Sequence, residues 1–141
     1  MTPITIPFGG NPLSFDVPGK NLAQVLVPNR STPVADLDAA IEAALAAPIG
    51  QPPIDELVKA SDRVLIVSDD NTRLTPADRL IPPLLRRLNR AGVPDRNIRC
   101  IMALGTHRYM TAPEMEDKVG PEVFGRIRVF NHEWRESANL V

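Results

Sequence analysis

Two apolar runs in this chain end in polar side chains of the kinds that bind ligands and transfer protons. Residues 63–73 read RVLIVSDDNTR, and residues 97–108 read NIRCIMALGTHR. Short apolar runs rich in β-branched residues predict buried strands. If both runs are strands of one parallel sheet, their polar ends lie at the same edge, and we expect the functional site there.

The polar end of the first run contains groups suited to binding an anion. The Arg73 guanidinium can pair with a carboxylate or phosphate, and the Thr72 hydroxyl can add a hydrogen bond. The Asp70 carboxylate can hold a nearby cation or imidazole. The alternative is that Asp70 and Asn71 cap a turn while Arg73 is a solvated surface charge. The spacing alone leaves both interpretations open.

The polar end of the second run contains a candidate acid or base. His107 is one of two histidines in the chain, and an imidazole exchanges protons near neutral pH. Gly105 would let the backbone approach a ligand closely, and Thr106 and Arg108 are candidate ligand-binding residues beside it. A lone histidine is more often structural than catalytic. Because Arg108 lies beside His107 and Arg73 ends the nearby strand, a functional role is favoured for His107 over His132.

The sequence has no pattern that binds a metal or a nucleotide by itself. It contains no His/Cys cluster with zinc-like spacing, no Gly-x-Gly-x-x-Gly and no Walker loop. The adjacent carboxylates Asp69 and Asp70 are expected to point to opposite sides of an extended strand. Four charged residues of a short predicted helix are interpreted as its solvent-facing side, without a functional role: Glu114, Glu116, Asp117 and Lys118.

The elements that must position these residues start with β-type runs. Runs before residue 30 predict a hairpin and one further strand, at residues 4–6, 13–17 and 25–27. Two helices should follow, one at 35–47 with Thr32 or Ser31 as its N-cap, and a short one at 53–60. The second helix leads into the first polar-ended strand.

The rest of the chain alternates strands and helices. Strands are predicted at 64–67, 98–104 and 126–130, and helices at 75–91 and 113–119. Thr75 is the expected N-cap of the first of these helices and Thr111 of the second. The continuously apolar first strand is typical of a strand covered on both faces. The order predicts an α/β fold with a Rossmann-like, doubly wound, mostly parallel sheet and an N-terminal β-hairpin and strand extension.

Length and composition favour one domain that binds a small ligand. We expect a β-rich arm at 1–30 and an α/β core at 31–141. Sixteen basic and seventeen acidic residues give a net charge of -1, so nucleic acid and anionic membranes are not expected partners. Cys100 is the only cysteine, and the N-terminus carries no long apolar segment, so we expect a cytoplasmic protein.

Several motifs together resemble the N-terminal part of the nickel-dependent lactate racemase family. The resemblance covers about two thirds of the chain and depends on the two strand ends above together with three further stretches. The matching stretches are Ala-Pro-Ile-Gly at 47–50, Ile-Asp-Glu-Leu at 54–57, VLIVSDDNTR at 64–73, Leu-Leu-x-x-Leu at 84–88 and LGTHR at 104–108 followed by Thr-Ala-Pro-Glu at 111–114.

The resemblance implies a racemase or epimerase of 2-hydroxy acids that uses a nickel-pincer nucleotide as hydride acceptor. Two histidines flank the substrate in such enzymes, and the motif match assigns His107 as one of them. Carried over in the same way, Arg73 would hold the substrate carboxylate or a cofactor anion, supported by Asp70 and Thr72. This chain departs from the family at Leu74, where proline usually follows Thr-Arg.

Family members continue into a second domain that carries the cofactor-anchoring lysine, a nickel-ligating histidine and the second catalytic histidine. No counterpart of these residues precedes Val141, so we expect this chain to be part of a longer enzyme and to be inactive alone. Its expected partners are a small 2-hydroxy acid and the missing C-terminal domain. Apolar surface at a severed domain face would favour a homo-oligomer. The alternative function is a non-catalytic α/β module that binds a small carboxylate or phosphate.

Overall fold

The computed structural model describes residues 1–139, which divide into two compact units, the first Met1–Pro33 and the second beginning at Val34. Each unit is described by itself. The mixed α/β class, with a parallel sheet and an N-terminal hairpin, is as predicted from the sequence.

The first unit is built on an antiparallel hairpin. Strand β1 (Thr2–Phe8) pairs with β2 (Asn11–Val17), and Gly9 and Gly10 connect them with φ angles of 55° and 82°. Two successive positive φ angles are what a two-residue hairpin turn needs, and glycine adopts them without steric cost. The predicted hairpin is therefore confirmed. The predicted third strand at 25–27 is wrong, because that segment pairs with no strand among the described residues and its apolar side chains are exposed.

The second unit begins with two helices that differ from prediction in their ends. Helix α1 (Leu37–Ala46) is capped by Asp36, whose carboxylate accepts a hydrogen bond from the Ala39 amide at 3.0 Å. The cap is thus neither Ser31 nor Thr32. Helix α2 (Ile54–Leu57) is a single turn.

Three parallel strands form the sheet of the second unit. Its order is β3 (Val64–Asp69), β4 (Ile98–Ala103) and β5 (Arg128–Asn131), with Asp69 opposite Ala103. Because β3 and β4 are parallel and in register to their last residues, the polar segments that follow them leave the sheet side by side. The three predicted strands and their parallel arrangement are confirmed.

Three helices connect these strands. Helix α3 (Ala77–Arg90) joins β3 to β4, and α4 (Ala112–Val119) and α5 (Pro121–Arg126) join β4 to β5. The Thr111 hydroxyl and the Glu114 carboxylate form a capping box at the start of α4, which confirms the predicted cap. Helix α5 was not predicted from the sequence.

The start of α3 differs from the prediction. Pro76 occupies the N-cap position and no side chain caps the helix. Thr75 is not the cap, because its hydroxyl donates to the Asp69 carboxylate at 2.5 Å instead. The hydroxyl therefore ties the loop before α3 to the end of β3.

The core joins β4 to α3, α4 and α5. Its fully buried side chains are Leu85, Leu88, Val93, Ile98, Cys100, Met102, Leu104, Val119 and Val123. On β3, however, Leu65 and Val67 are 53% and 65% exposed. The prediction that this strand is covered on both faces is therefore wrong for the described residues. None of the helices in residues 1–139 is both long and apolar enough to span a membrane.

Candidate functional site

A cavity of about 310 Å³ lies at the carboxyl edge of the sheet, where the loops after β3 and β4 meet. Five of the predicted site residues line this cavity: Asp70, Arg73, Gly105, Thr106 and His107. The register of β3 with β4 explains the convergence, because the last paired residues are Asp69 and Ala103. Parallel sheets bind ligands at this edge.

The central contact of the cavity joins Asp70 to His107. The Asp70 carboxylate and His107 Nδ1 are 2.5 Å apart. The Asp70 side chain is 4% exposed, whereas the His107 side chain is 50% exposed. An ionised carboxylate can only accept a hydrogen bond, so the proton of this contact is on Nδ1. In the neutral ring, Nε2 is then left as a proton acceptor.

Asp70 is kept ionised by its neighbours. Its carboxylate accepts hydrogen bonds from the Thr72 amide at 3.0 Å and from the Thr72 hydroxyl at 2.6 Å. Burial works against the charged form, but the hydrogen bonds from Thr72 and His107 outweigh it and lower the pKa of Asp70 to about 2. Thr72 therefore acts on the site through Asp70.

The backbone after β4 presents His107 at the cavity. Gly105 has a φ of 57°, in the left-handed region that favours glycine. The His107 amide donates to the Leu104 carbonyl at 3.0 Å, and the Trp134 indole donates to the His107 carbonyl at 3.0 Å. These two hydrogen bonds hold the His107 backbone, one at its amide and the other at its carbonyl.

Arg73 is the candidate anion-binding group. Its side chain is exposed and lines the cavity, and its backbone amide donates to the Asp70 carbonyl at 3.2 Å. Within the part of the chain that the structure describes, its guanidinium has no ion pair with a carboxylate. An exposed guanidinium that is not engaged by a carboxylate can form two parallel hydrogen bonds to a carboxylate or phosphate of a ligand.

Arg108 has a different environment from the other predicted residues. Its two terminal nitrogens donate to the two Glu114 oxygens at 2.9 and 2.6 Å. This pairing is the first cause of the low pKa of Glu114, about 2, and the Thr111 amide adds to it. Asn71 also donates to Glu114, at 3.3 Å. Arg108 thus connects the loop after β4 to α4 and does not line the cavity.

The prediction that Lys118 lies on the solvent-facing side of its helix is wrong. Its side chain is 6% exposed, and its ammonium lies 2.9 Å from the Asp69 carboxylate. Burial opposes ionisation of Asp69, but hydrogen bonds from Thr75 and Lys118 lower its pKa. The helical spacing could have indicated this burial, because Lys118 lies three positions after Met115 and directly before the buried Val119.

The second histidine lies away from the cavity lining. The His132 amide follows β5 and donates to the Met102 carbonyl at 3.0 Å. The neighbouring Asn131 side chain exchanges two hydrogen bonds with the Met110 backbone, at 3.1 and 2.9 Å. This region therefore anchors the backbone around β4.

The described residues contain no group of three or more His, Cys, Asp or Glu side chains that could hold a metal ion. Asp69 and Asp70, the neighbouring carboxylates at the cavity, are each held by other side chains: Asp69 by Thr75 and Lys118, and Asp70 by Thr72 and His107. A nickel site therefore does not fit residues 1–139 taken alone. The cavity instead has the features of a site for an anionic ligand with a transferable proton.

Known proteins match this chain over nearly its whole length. Residues 8–141 match the family described as the lactate racemase N-terminal domain. The lactate racemase of Lactiplantibacillus plantarum is 30% identical over 143 residues, which cover 100% of this chain and 34% of that protein. The lactate racemase of Thermoanaerobacterium thermosaccharolyticum is 27% identical and is covered to 33%.

The fold also matches a solved structure. The lactate racemase apoprotein from Thermoanaerobacterium thermosaccharolyticum superposes with a TM-score of 0.72 at 28% identity, over 98% of this chain and 32% of that one. The chain therefore spans about a third of the length of the relatives that it matches.

Proposed function

Since this chain belongs to the lactate racemase family and matches its N-terminal domain, we propose that it forms one side of the active site of a 2-hydroxy acid racemase or epimerase. The observation that carries the proposal is the Asp70–His107 contact of 2.5 Å at a cavity that Arg73 also lines. We place the remaining part of the site in a C-terminal domain, because the relatives are about three times as long as this chain.

We assign the acid/base role to His107. Inverting a carbon that carries a hydroxyl through a carbonyl stage requires the hydroxyl proton to leave and to return. Nε2 of the neutral ring accepts that proton and gives it back, while Nδ1 remains bound to the Asp70 carboxylate. Asp70 orients the ring and stabilises its charged form. The residue that serves the opposite face of the substrate lies outside the described part of this chain.

Arg73 is proposed to bind the carboxylate of the substrate or an anionic group of the cofactor. Its exposed guanidinium shares the cavity with His107, and a two-point contact to a carboxylate would fix the hydroxyl-bearing carbon relative to the ring. Gly105 and Thr106 line the same cavity and are proposed to contact a ligand that Arg73 holds. Arg108 stabilises the site from outside through Glu114.

A nickel-pincer nucleotide, where bound, supplies the hydride acceptor that this reaction needs. Because the described residues do not offer a nickel ligand group, we place the metal-binding residues in the other domain and derive no step through the metal. The chain by itself is accordingly proposed to be inactive.

The test is the substitution His107→Ala in the full-length protein. We expect interconversion of D- and L-lactate to fall by about 100-fold or more in at least one direction, since a positioned acid/base contributes rate factors of that order. His132→Ala is the matched control and should retain the parental rate. Unchanged rates in both directions for His107→Ala would contradict the assignment.

A second candidate function is supported by the exposed Arg73 guanidinium alone, which would also suit a non-catalytic module for small carboxylates or phosphates. Titration calorimetry with lactate and with inorganic phosphate separates the two functions. Saturable binding that Arg73→Ala abolishes, in a full-length protein without racemase activity, would favour the module.

A further inference from the structure

We propose that Lys118 is a positioning residue that sets the place of Arg73 at the cavity. This inference rests on the proposed function, because it takes Arg73 as the group that binds the carboxylate. It concerns a residue that the sequence pattern had placed on the solvent side of α4.

The Lys118 ammonium is enclosed and fully engaged. It lies 2.9 Å from the Asp69 carboxylate, and it donates to the Arg73 carbonyl at 2.9 Å and to the Thr75 carbonyl at 3.0 Å. An ammonium has three donors, and three acceptors surround this one. Lysine is almost never buried unless it is paired, so the position has a specific structural use.

The two carbonyls bracket Leu74 in the loop between β3 and α3. Between β3 and α3 the chain passes through Leu74, whose side chain is fully exposed. Apolar packing therefore does not fix this turn. The backbone of this turn is held by the Arg73 amide bond to Asp70, the Thr72 and Asn71 bonds to Asp70 and Glu114, the Thr75 hydroxyl bond to Asp69 and the Ala77 amide bond to the Thr75 carbonyl. Among the described residues, the Arg73 carbonyl itself is bound by Lys118 alone.

The consequence for the site follows from the position of Arg73. Lys118 binds the carbonyl of the same residue whose guanidinium lines the cavity. Without the ammonium, the Arg73 carbonyl loses its donor, while the Thr75 carbonyl keeps the Ala77 amide. The Arg73 backbone is then less constrained. A displacement of about 1 Å in a substrate-positioning group can lower catalytic efficiency by up to about 100-fold.

The experiment is a double-mutant cycle in the full-length protein, with Lys118→Met, Arg73→Ala and their combination. We expect Lys118→Met to raise the KM for lactate by about tenfold or more, because methionine keeps most of the apolar length but has no donor. In the Arg73→Ala background, Lys118→Met should add less than about twofold, since its effect passes through Arg73. The exposed lysine variant Lys59→Met is the control and should change nothing.

A second readout separates positioning from general loss of stability. Amide hydrogen exchange of residues 73–75 should accelerate in Lys118→Met, while the amides of β4 keep their protection. If Lys118→Met does not fold, the double variant Asp69→Asn/Lys118→Met removes both charges of the ion pair and is assayed in the same way.

Two results would overturn the inference in distinguishable ways. Effects of Lys118→Met and Arg73→Ala that multiply independently, or an unchanged KM, would refute the positioning role while leaving the proposed function intact. An Arg73→Ala variant with parental kinetics would refute the role of Arg73 in the proposed function, and the role of Lys118 with it.

Discussion

The Asp70 carboxylate accepts hydrogen bonds from Thr72, through its amide and its hydroxyl, and from His107, although only 4% of its side chain is exposed. Each donor stabilises the ionised form, and together they overcome the cost of burial. The sequence predicted that these three residues belong to one site. It could not predict the hydrogen-bond pattern, because that depends on how two loops 37 positions apart meet.

The charge of Asp70 predicts a pH-dependent contribution to stability. Its pKa is lowered from 3.8 to about 2, so the contribution is present above the ordinary value and is lost as the pH falls from about 4 to about 2. At neutral pH, Asp70→Asn should lower the free energy of unfolding by about 2 kcal/mol, and the difference should shrink over that acid range. Urea denaturation at a series of pH values measures it.

The control for this prediction is Leu85→Ala, which removes no ionisable group. Leu85 is fully buried, so its truncation should cost about 2 to 5 kcal/mol with little dependence on pH. A cost for Asp70→Asn that stays constant down to pH 2 would argue against a lowered pKa for Asp70.

At the scale of elements, local sequence was a better guide to the middles of helices than to their ends. Thr111 was correctly identified as a cap, because a capping-box glutamate follows it three residues later. Thr75 and Thr32 have suitable side chains but do not cap. The Thr75 hydroxyl binds Asp69 instead, which is a tertiary contact that no local pattern contains. Helix α5 was missed because its six residues are too few to show a periodicity.

The cap of α1 gives a matched pair of substitutions. Asp36→Ala removes the carboxylate that accepts from the Ala39 amide, and we expect a loss of about 1 kcal/mol of stability. Thr32→Ala, at the position that the sequence favoured, should change stability by less than about 0.5 kcal/mol. Equal losses in urea denaturation would show that the cap is shared or misplaced.

At the scale of the whole molecule, the chain consists of two units with different internal support. Met1–Pro33 contains a hairpin whose side chains are mostly exposed, whereas the core cluster lies in the second unit. The alternation of polar and apolar residues predicted the hairpin, and the apolar runs predicted the parallel sheet. The open face of β3 was not predicted, because an apolar run of this kind does not reveal which elements cover it.

This difference predicts unequal protection against hydrogen exchange. An isolated two-stranded hairpin is marginally stable in water, so the amides of β1 and β2 should exchange at least about tenfold faster than those of β4. Mass spectrometry after deuterium labelling measures both regions in one sample. Equal protection would mean that the hairpin is stabilised by a partner surface.

The exposed side chains of Leu65 and Val67 have a practical consequence for producing this chain alone. They lie on β3, which is an edge strand among the described residues. An edge strand with apolar residues is a template on which another chain can add a strand, the first step towards aggregation. Arg63 is a charged residue just before it. A more soluble version of this chain should therefore carry a new charge at position 65 or 67, since both side chains are outside the core and the cavity residues remain unchanged.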